Sequence, residues 1–247
     1  MKIRLPRPIS LGFLLSYKCS ASCKHCMYAC SSKWKDEWIS HENLYKILSQ
    51  MAGLIEPCPY GSNSINLNYG LHFTGGEPFL NFDLLCEAVE MAEELNIPST
   101  FVETNCFWAV NDKSTKEKLA ILKNKGLKGI LISVNPFFLE YVPFERTERT
   151  VKYSYELFGH NLIVYQHEFY KRFRSLNISK KMSFDDFLKL EGRRDFARNT
   201  EFFISGRAPY KIKKYDIYMK YPAKRLFKQL CSPPFIRSWH NHVDNYG

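Results

Sequence analysis

"SLGFLLSYKCSASCKHC" (residues 10–26) joins a short apolar run to three cysteines. Residues 10–17 read as a β-strand. Cys19, Cys23 and Cys26 follow at once, in a loop of small and polar residues. A disulfide framework, a zinc site, an iron–sulfur site and chance all offer readings of such a loop. A tetrahedral zinc site takes four ligands, usually as two separated pairs. Cys30 offers a fourth thiolate here, but from the same loop. Three closely spaced thiolates around a four-iron cluster leave one iron without a protein ligand, open to a substrate or cofactor. Soft thiolates suit such clusters.

Outward from this stretch, short apolar runs alternate with helical patterns. Strands are expected at 69–74, 99–104, 127–134, 161–166 and 201–207, with a last one at 235–243. Ser40 reads as the N-cap of a helix whose apolar stripe is Leu44, Ile47, Leu48 and Met51. Residues 82–95 form a second helix, with Cys86 packing on or beside its apolar face. Ser114 and Glu117 read as a capping box. Pro143 opens a further helix, Ser183 caps another, and residues 222–230 read as helical. Six strand–helix repeats imply right-handed parallel βαβ units. The expected fold is α/β, a partial (β/α)6 TIM-like barrel with a short C-terminal extension. Sites in parallel α/β folds lie at the carboxyl ends of the strands. The conspicuous polar groups fall there: the cysteines, Gly75–Pro78, Glu103–Asn105, Asn135, Gln166 with His167, and Gly206 with Arg207.

The chain has 247 residues, 45% hydrophobic and 24% charged, enough for a sizeable core. No run approaches the roughly 20 apolar residues of a membrane span, and the N-terminus does not read as a signal peptide. These features imply a cytoplasmic protein with no membrane partner. Eight cysteines in such a protein point to metal ligands, catalytic thiols or core residues rather than disulfides.

Cys19-x3-Cys23-x2-Cys26 after a first strand resembles the signature loop of the radical S-adenosylmethionine (radical SAM) superfamily. "GGEP" (75–78) resembles its motif for the methionine amino group. "ETN" (103–105) and "SVN" (133–135) resemble its polar contacts to the rest of SAM. His25 stands where the family usually has an aromatic ring. The resemblance covers about residues 8–210, so residues 1–210 are expected to form the core domain and 211–247 an extension. It implies that Cys19, Cys23 and Cys26 ligate a [4Fe–4S] cluster. Gly75, Gly76, Glu77, Pro78, Glu103, Thr104, Asn105, Ser133 and Asn135 would then meet SAM. An electron from the cluster would cleave SAM to methionine and a 5′-deoxyadenosyl radical that abstracts a substrate hydrogen. An external donor such as flavodoxin or ferredoxin would supply that electron. No side chain is singled out as catalytic. Arg207 reads equally as a contact to SAM or a substrate carboxylate and as a surface pair. Cys30 and Cys106 read as core or incidental thiols, with an extra-ligand or reactive-thiol role as the alternative.

The end of the chain, with Cys231, a strand-like run and an Asp-x-x-Gly turn, resembles the opening of the auxiliary-cluster (SPASM-like) domains of peptide-modifying relatives. The extension is therefore expected to be the start of a longer domain, or else to belong to a member with no auxiliary cluster. A peptide or protein is the first expectation for the substrate, a small metabolite the second and RNA the third. Residues 171–228 carry 17 Lys and Arg against 6 Asp and Glu. That excess reads either as a solvated face or as a surface for an anionic partner. His240 and His242 alternate and so share a face, as a metal pair or as packing side chains. The rival from another class is a non-catalytic protein whose cysteines hold zinc or a structural cluster.

Overall fold

A computed structural model describes residues 7–192, 196, 203–215, 222–228 and 240–247. Strands β1 (Ser10–Leu14), β2 (Gly70–Thr74), β3 (Phe101–Thr104), β4 (Gly129–Ser133), β5 (Leu162–Tyr165) and β6 (Asn241–Val243) form one sheet in the order β5-β4-β3-β2-β1-β6. Every pairing is parallel. Helices α1 (His41–Met51), α2 (Phe82–Glu94), α3 (Asp112–Asn124), α4 (Pro136–Leu139), α5 (Phe144–Phe158), α6 (His167–Ser175), α7 (Phe184–Glu191) and α8 (Ala208–Lys211) lie between the strands.

The first five strands fall where the apolar runs predict them. The sixth does not. Residues 203–207 are not a strand, and 201 and 202 lie outside the described residues. Phe203 and Ile204 are exposed rather than packed. Gly206, with φ of +54°, turns the chain there toward the cysteine loop. The sixth strand is instead the carboxyl end of the expected last one, and it joins the opposite edge of the sheet, beside β1. Residues 235–239 and Cys231 lie outside the described residues. Tyr17 Oη donates to Asp244 Oδ2 at 2.9 Å, and Tyr246 Oη to Glu37 Oε2 at 2.9 Å. These bonds fix the terminus beside the β1 exit.

Strand alternation divides the sheet into two unlike faces. Leu11, Phe13, Leu71, Phe73 and Val102 share one face and belong to the buried core together with Leu44 and Leu48 of α1 and Leu85 and Val89 of α2. Ser10, Gly12, His72, Thr74, Phe101, Glu103 and Ser133 share the other, by the register Gly12–His72–Phe101–Gly129. An inventory so rich in hydroxyl, imidazole and carboxylate groups marks the chemical face.

Helix starts follow local capping. Ser40 accepts from Asn43 N and Ser183 from Asp186 N. The capping box at Ser114 is corrected: the N-cap lies three residues earlier, where Asn111 Oδ1 accepts from Ser114 N at 2.9 Å. Glu117 pairs with Lys113 one turn back instead. Asn111→Ala is expected to lower stability by about 1 kcal/mol. Ser114→Ala should change it by less than about 0.5 kcal/mol. Urea unfolding of the two variants separates the caps, and the reverse order would restore Ser114 as the cap.

Candidate functional site

The cysteine loop is shaped by its own backbone. Cys19 N donates to Ser31 O at 3.2 Å and Ser31 N to Tyr17 O at 3.3 Å, closing its neck. Cys26 N to Cys23 O and Ala29 N to Cys26 O, both 3.2 Å, make successive turns. Arg207 binds the same loop through its carbonyls, of which Cys23 O and Cys26 O also accept within the loop and Ala29 O accepts from Trp34 Nε1. Its Nη1 donates to Cys23 O at 2.7 Å, and its Nη2 to Ala29 O at 2.7 Å and Cys30 O at 2.6 Å. Its backbone N donates to Cys26 O at 3.0 Å. Gly206 has to be glycine, since a side chain there would collide with the carbonyls of Cys26 and Met27. Arg207 is therefore not a surface pair; it binds the cysteine loop.

Cys19, Cys23 and Cys30 are buried and Cys26 is half-buried. A hydrogen bond from the Cys30 thiol lowers Cys26 to about 6. Cys30 also meets Gly75 O at 3.3 Å. Burial, with the Glu77 charge behind it, pushes Cys19 up to about 12, and burial drives Cys23 well above the usual thiol range. Without a bound metal centre, Cys19 and Cys23 hold their protons. A bound metal centre inverts that preference, because its charge is the largest in the site. The donor set is sulfur throughout, which fits an iron–sulfur cluster.

The GGEP segment is fused to this loop. Gly76 N donates to Ser16 O at 2.8 Å and Glu77 N to Lys18 O at 3.0 Å. A methyl group on Gly76 would overlap the Lys18 carbonyl oxygen, and Gly75 has φ of +114°. The glycines thus let two backbones meet. Pro78 opens a 3-10 turn, Pro78–Asn81, whose first N–H groups face Glu77. Glu77 is 1% exposed. Its Oε2 accepts from Asn105 N at 2.8 Å, and its Oε1 from Thr104 Oγ1 at 2.9 Å and Phe79 N at 3.4 Å. Burial still raises it from 4.5 to about 7, against the pull of those bonds. Asn105 Nδ2 reaches Ser20 Oγ at 3.0 Å and Cys19 Sγ at 3.8 Å.

The other expected residues divide. Glu103 points to the opposite face from Thr104, accepting from Thr74 Oγ1 at 2.6 Å beside His72. Asn135 caps α4 through Phe137 N and Phe138 N, and its Nδ2 lies 3.1 Å from His25 Nε2. His25 stacks on Phe137 with ring centroids 4.7 Å apart, so it packs as an aromatic ring. Burial, followed by the Arg207 charge, lowers it to about 3. Ser133 lines a small cavity with Asn135 and Phe138. Gln166 and His167 stand at the end of β5 and the start of α6. Cys106 is buried, as is Cys86. Among the described residues, no helix is long and apolar enough to cross a membrane.

No family model matches the chain. It is 23% identical over 140 residues to YydG of Bacillus subtilis (strain 168), provisionally named a peptide biosynthesis protein; the match covers 57% of this chain and 40% of YydG. It is 25% identical over 100 residues to an S-adenosylmethionine-dependent nucleotide dehydratase of Fibrobacter sp. (strain UWH6), covering 39% of this chain and 27% of that protein. Among solved structures, native anSMEcpe with bound AdoMet is similar at a TM-score of 0.43 and 17% identity, over 71% of this chain and 52% of that one. The chain thus matches about half or less of the length of each.

Glu77 gives the site a pH signature. The folded chain keeps this proton to about pH 7, while the unfolded chain releases it near 4.5. The folded state binds more protons between those values, so Glu77's contribution to stability falls as pH rises from 4.5 to 7. In urea unfolding of the cluster-free chain, Glu77→Gln should flatten the pH slope in that window. An identical slope in parent and variant would contradict the raised carboxyl.

Proposed function

We propose that the chain is a radical SAM enzyme acting on a peptide or protein. The observation that carries the reading is the junction of the two loops. Three cysteine thiols stand in one loop, and that loop is hydrogen-bonded through Ser16 O and Lys18 O to the segment presenting buried Glu77. Cys19, Cys23 and Cys26 would hold a [4Fe–4S] cluster. When bound, the cluster supplies the electron that splits SAM into methionine and a 5′-deoxyadenosyl radical, which takes a hydrogen from the substrate.

The chain's own residues bind, orient and shield. Gly75, Gly76 and Pro78 place Glu77, whose carboxylate suits the SAM ammonium and would be held ionised by it. Thr104 and Asn105 brace that carboxylate through their bonds to it. Asn105 also approaches Cys19 Sγ, a contact of the kind that tunes cluster potential. Ser133 and Asn135 complete the set proposed to contact the rest of SAM, with Asn135 acting beside His25, while Glu103, expected in that set, faces His72 instead. A flavodoxin or ferredoxin would deliver the electron.

The substrate class rests on the name given to YydG and on the likeness of the C-terminal end to peptide-modifying relatives. The nucleotide dehydratase favours a small metabolite as the second reading. Four sulfur donors in one loop also supply the rival, a zinc-binding protein without catalysis.

Anaerobic reconstitution followed by iron and sulfide analysis tests the reading. The parent should hold a four-iron cluster and, once reduced, release 5′-deoxyadenosine from SAM. Cys19→Ala, Cys23→Ala and Cys26→Ala should each lose both properties. Glu77→Gln should keep the iron and bind SAM roughly 10-fold more weakly, as a charge-assisted bond worth about 1–2 kcal/mol becomes neutral. Full iron and intact SAM cleavage in all three cysteine variants would overturn the assignment. Zinc in place of iron would establish the rival.

A further inference from the structure

A second cluster of ligating side chains lies on the polar face of the sheet and contains none of the cysteines. Gly12 of β1 pairs in register with His72 of β2 on one side and His242 of β6 on the other. The three positions form one row across the sheet, facing the same way. His240 stands two residues before His242 on the same face, with its Nδ1 2.6 Å from Ser10 Oγ. The imidazoles of His72 and His240 stack at 5.1 Å with 8° between planes, while His240 and His242 meet edge-on at 4.6 Å and 84°. One ring nitrogen from each of the three lies within 4.8 Å of the others.

We propose that His72, His240 and His242 bind one divalent transition-metal ion of the zinc class, clamping β6 to β1 and β2.

Four observations support the site. The Nε2 atoms of His240 and His242 are 3.4 Å apart. Zinc–nitrogen bonds of about 2.0–2.1 Å at a tetrahedral angle require roughly that separation. His72 is 5% exposed, and its buried Nδ1 has no hydrogen-bond partner. Glu103 Oε1 lies 3.4 Å from the other nitrogen of that ring, the carboxylate–imidazole arrangement that orients metal-binding histidines. Gly12 lets the His72 and His242 rings close over β1, since a side chain there would come within 2.5 Å of His242 Nε2 and 2.7 Å of His72 Nε2.

Imidazoles suit zinc, copper, iron or nickel rather than calcium or magnesium. Three protein ligands leave one coordination position, for water. The ligands are far apart in the chain, and β6 is only three residues long. A metal at this point would hold that short edge strand in register.

The site uses none of the cysteines, so its failure and that of the cluster reading are separable. Cobalt(II) is the probe, added to two full-length proteins: the parent with its cluster reconstituted, and the Cys19→Ala, Cys23→Ala, Cys26→Ala triple variant. Both should bind one cobalt with visible ligand-field bands and without sulfur-to-cobalt charge-transfer bands. Zinc should displace it and raise the melting temperature. His242→Gln, at an exposed position, should abolish stoichiometric binding in either background. Glu103→Gln should weaken it roughly 10–100-fold. If the triple variant fails to fold, the reconstituted parent and its His242→Gln variant still decide. Absence of cobalt binding, or cobalt bands that survive His242→Gln, would overturn the proposal.

Discussion

The backbone of Gly76 lies against the carbonyl of Lys18, and most of the site depends on that contact. It is available only because residue 76 has no side chain. Through it the exits of β1 and β2 become one unit: Ser16 O and Lys18 O accept from Gly76 N and Glu77 N. The cysteine loop therefore starts from a fixed point, and Glu77 is carried beneath it. Arg207 secures the far side of the same loop by filling three of its carbonyls at once. A guanidinium suits this task, with five donors in a rigid fork. A loop rich in buried thiols is held in this way by backbone bonds, which leaves the sulfur atoms for other work.

The sheet divides its labour by strand parity. One face is apolar and packs into the helical core; the other carries histidines, hydroxyls and a carboxylate. Thr104 and Glu103 are adjacent in sequence, yet one braces Glu77 and the other faces His72. Burying such groups is costly unless they are paired. Glu77 meets that cost with three donors and still has a raised carboxyl. A carboxylate so prepared favours a cationic neighbour, as the ammonium of SAM would be.

Much of this was legible in the sequence where the signal is local. Apolar runs located the first five strands, and the caps at Ser40 and Ser183 announced their helices. The cysteine spacing and GGEP marked two loops that the structure joins. What failed was non-local. The run at 201–207 looks like a strand by composition, but Gly206 and Arg207 are committed to the cysteine loop. No periodicity reveals a bond across that distance in the chain; the glycine directly before the arginine was the available hint. The pairing of β6 with β1, on the far edge from β5, likewise has no local signature. His240 and His242 showed only that they share a face. Their neighbour His72 is brought to them by the sheet alone, across a glycine that reads in sequence as a gap in an apolar run. Asn111 displaced Ser114 as a cap because the first turn begins before the apparent capping box.

The central claim is that the fused loops hold a site-differentiated cluster together with SAM. Electron paramagnetic resonance of the anaerobically reconstituted and reduced chain tests it most directly, recorded with and without SAM. The account predicts the signal of a reduced [4Fe–4S] cluster whose shape changes when SAM is added, because SAM would ligate the one iron that Cys19, Cys23 and Cys26 would leave open. A cluster signal indifferent to SAM, or a colourless zinc protein with no signal at all, would contradict it.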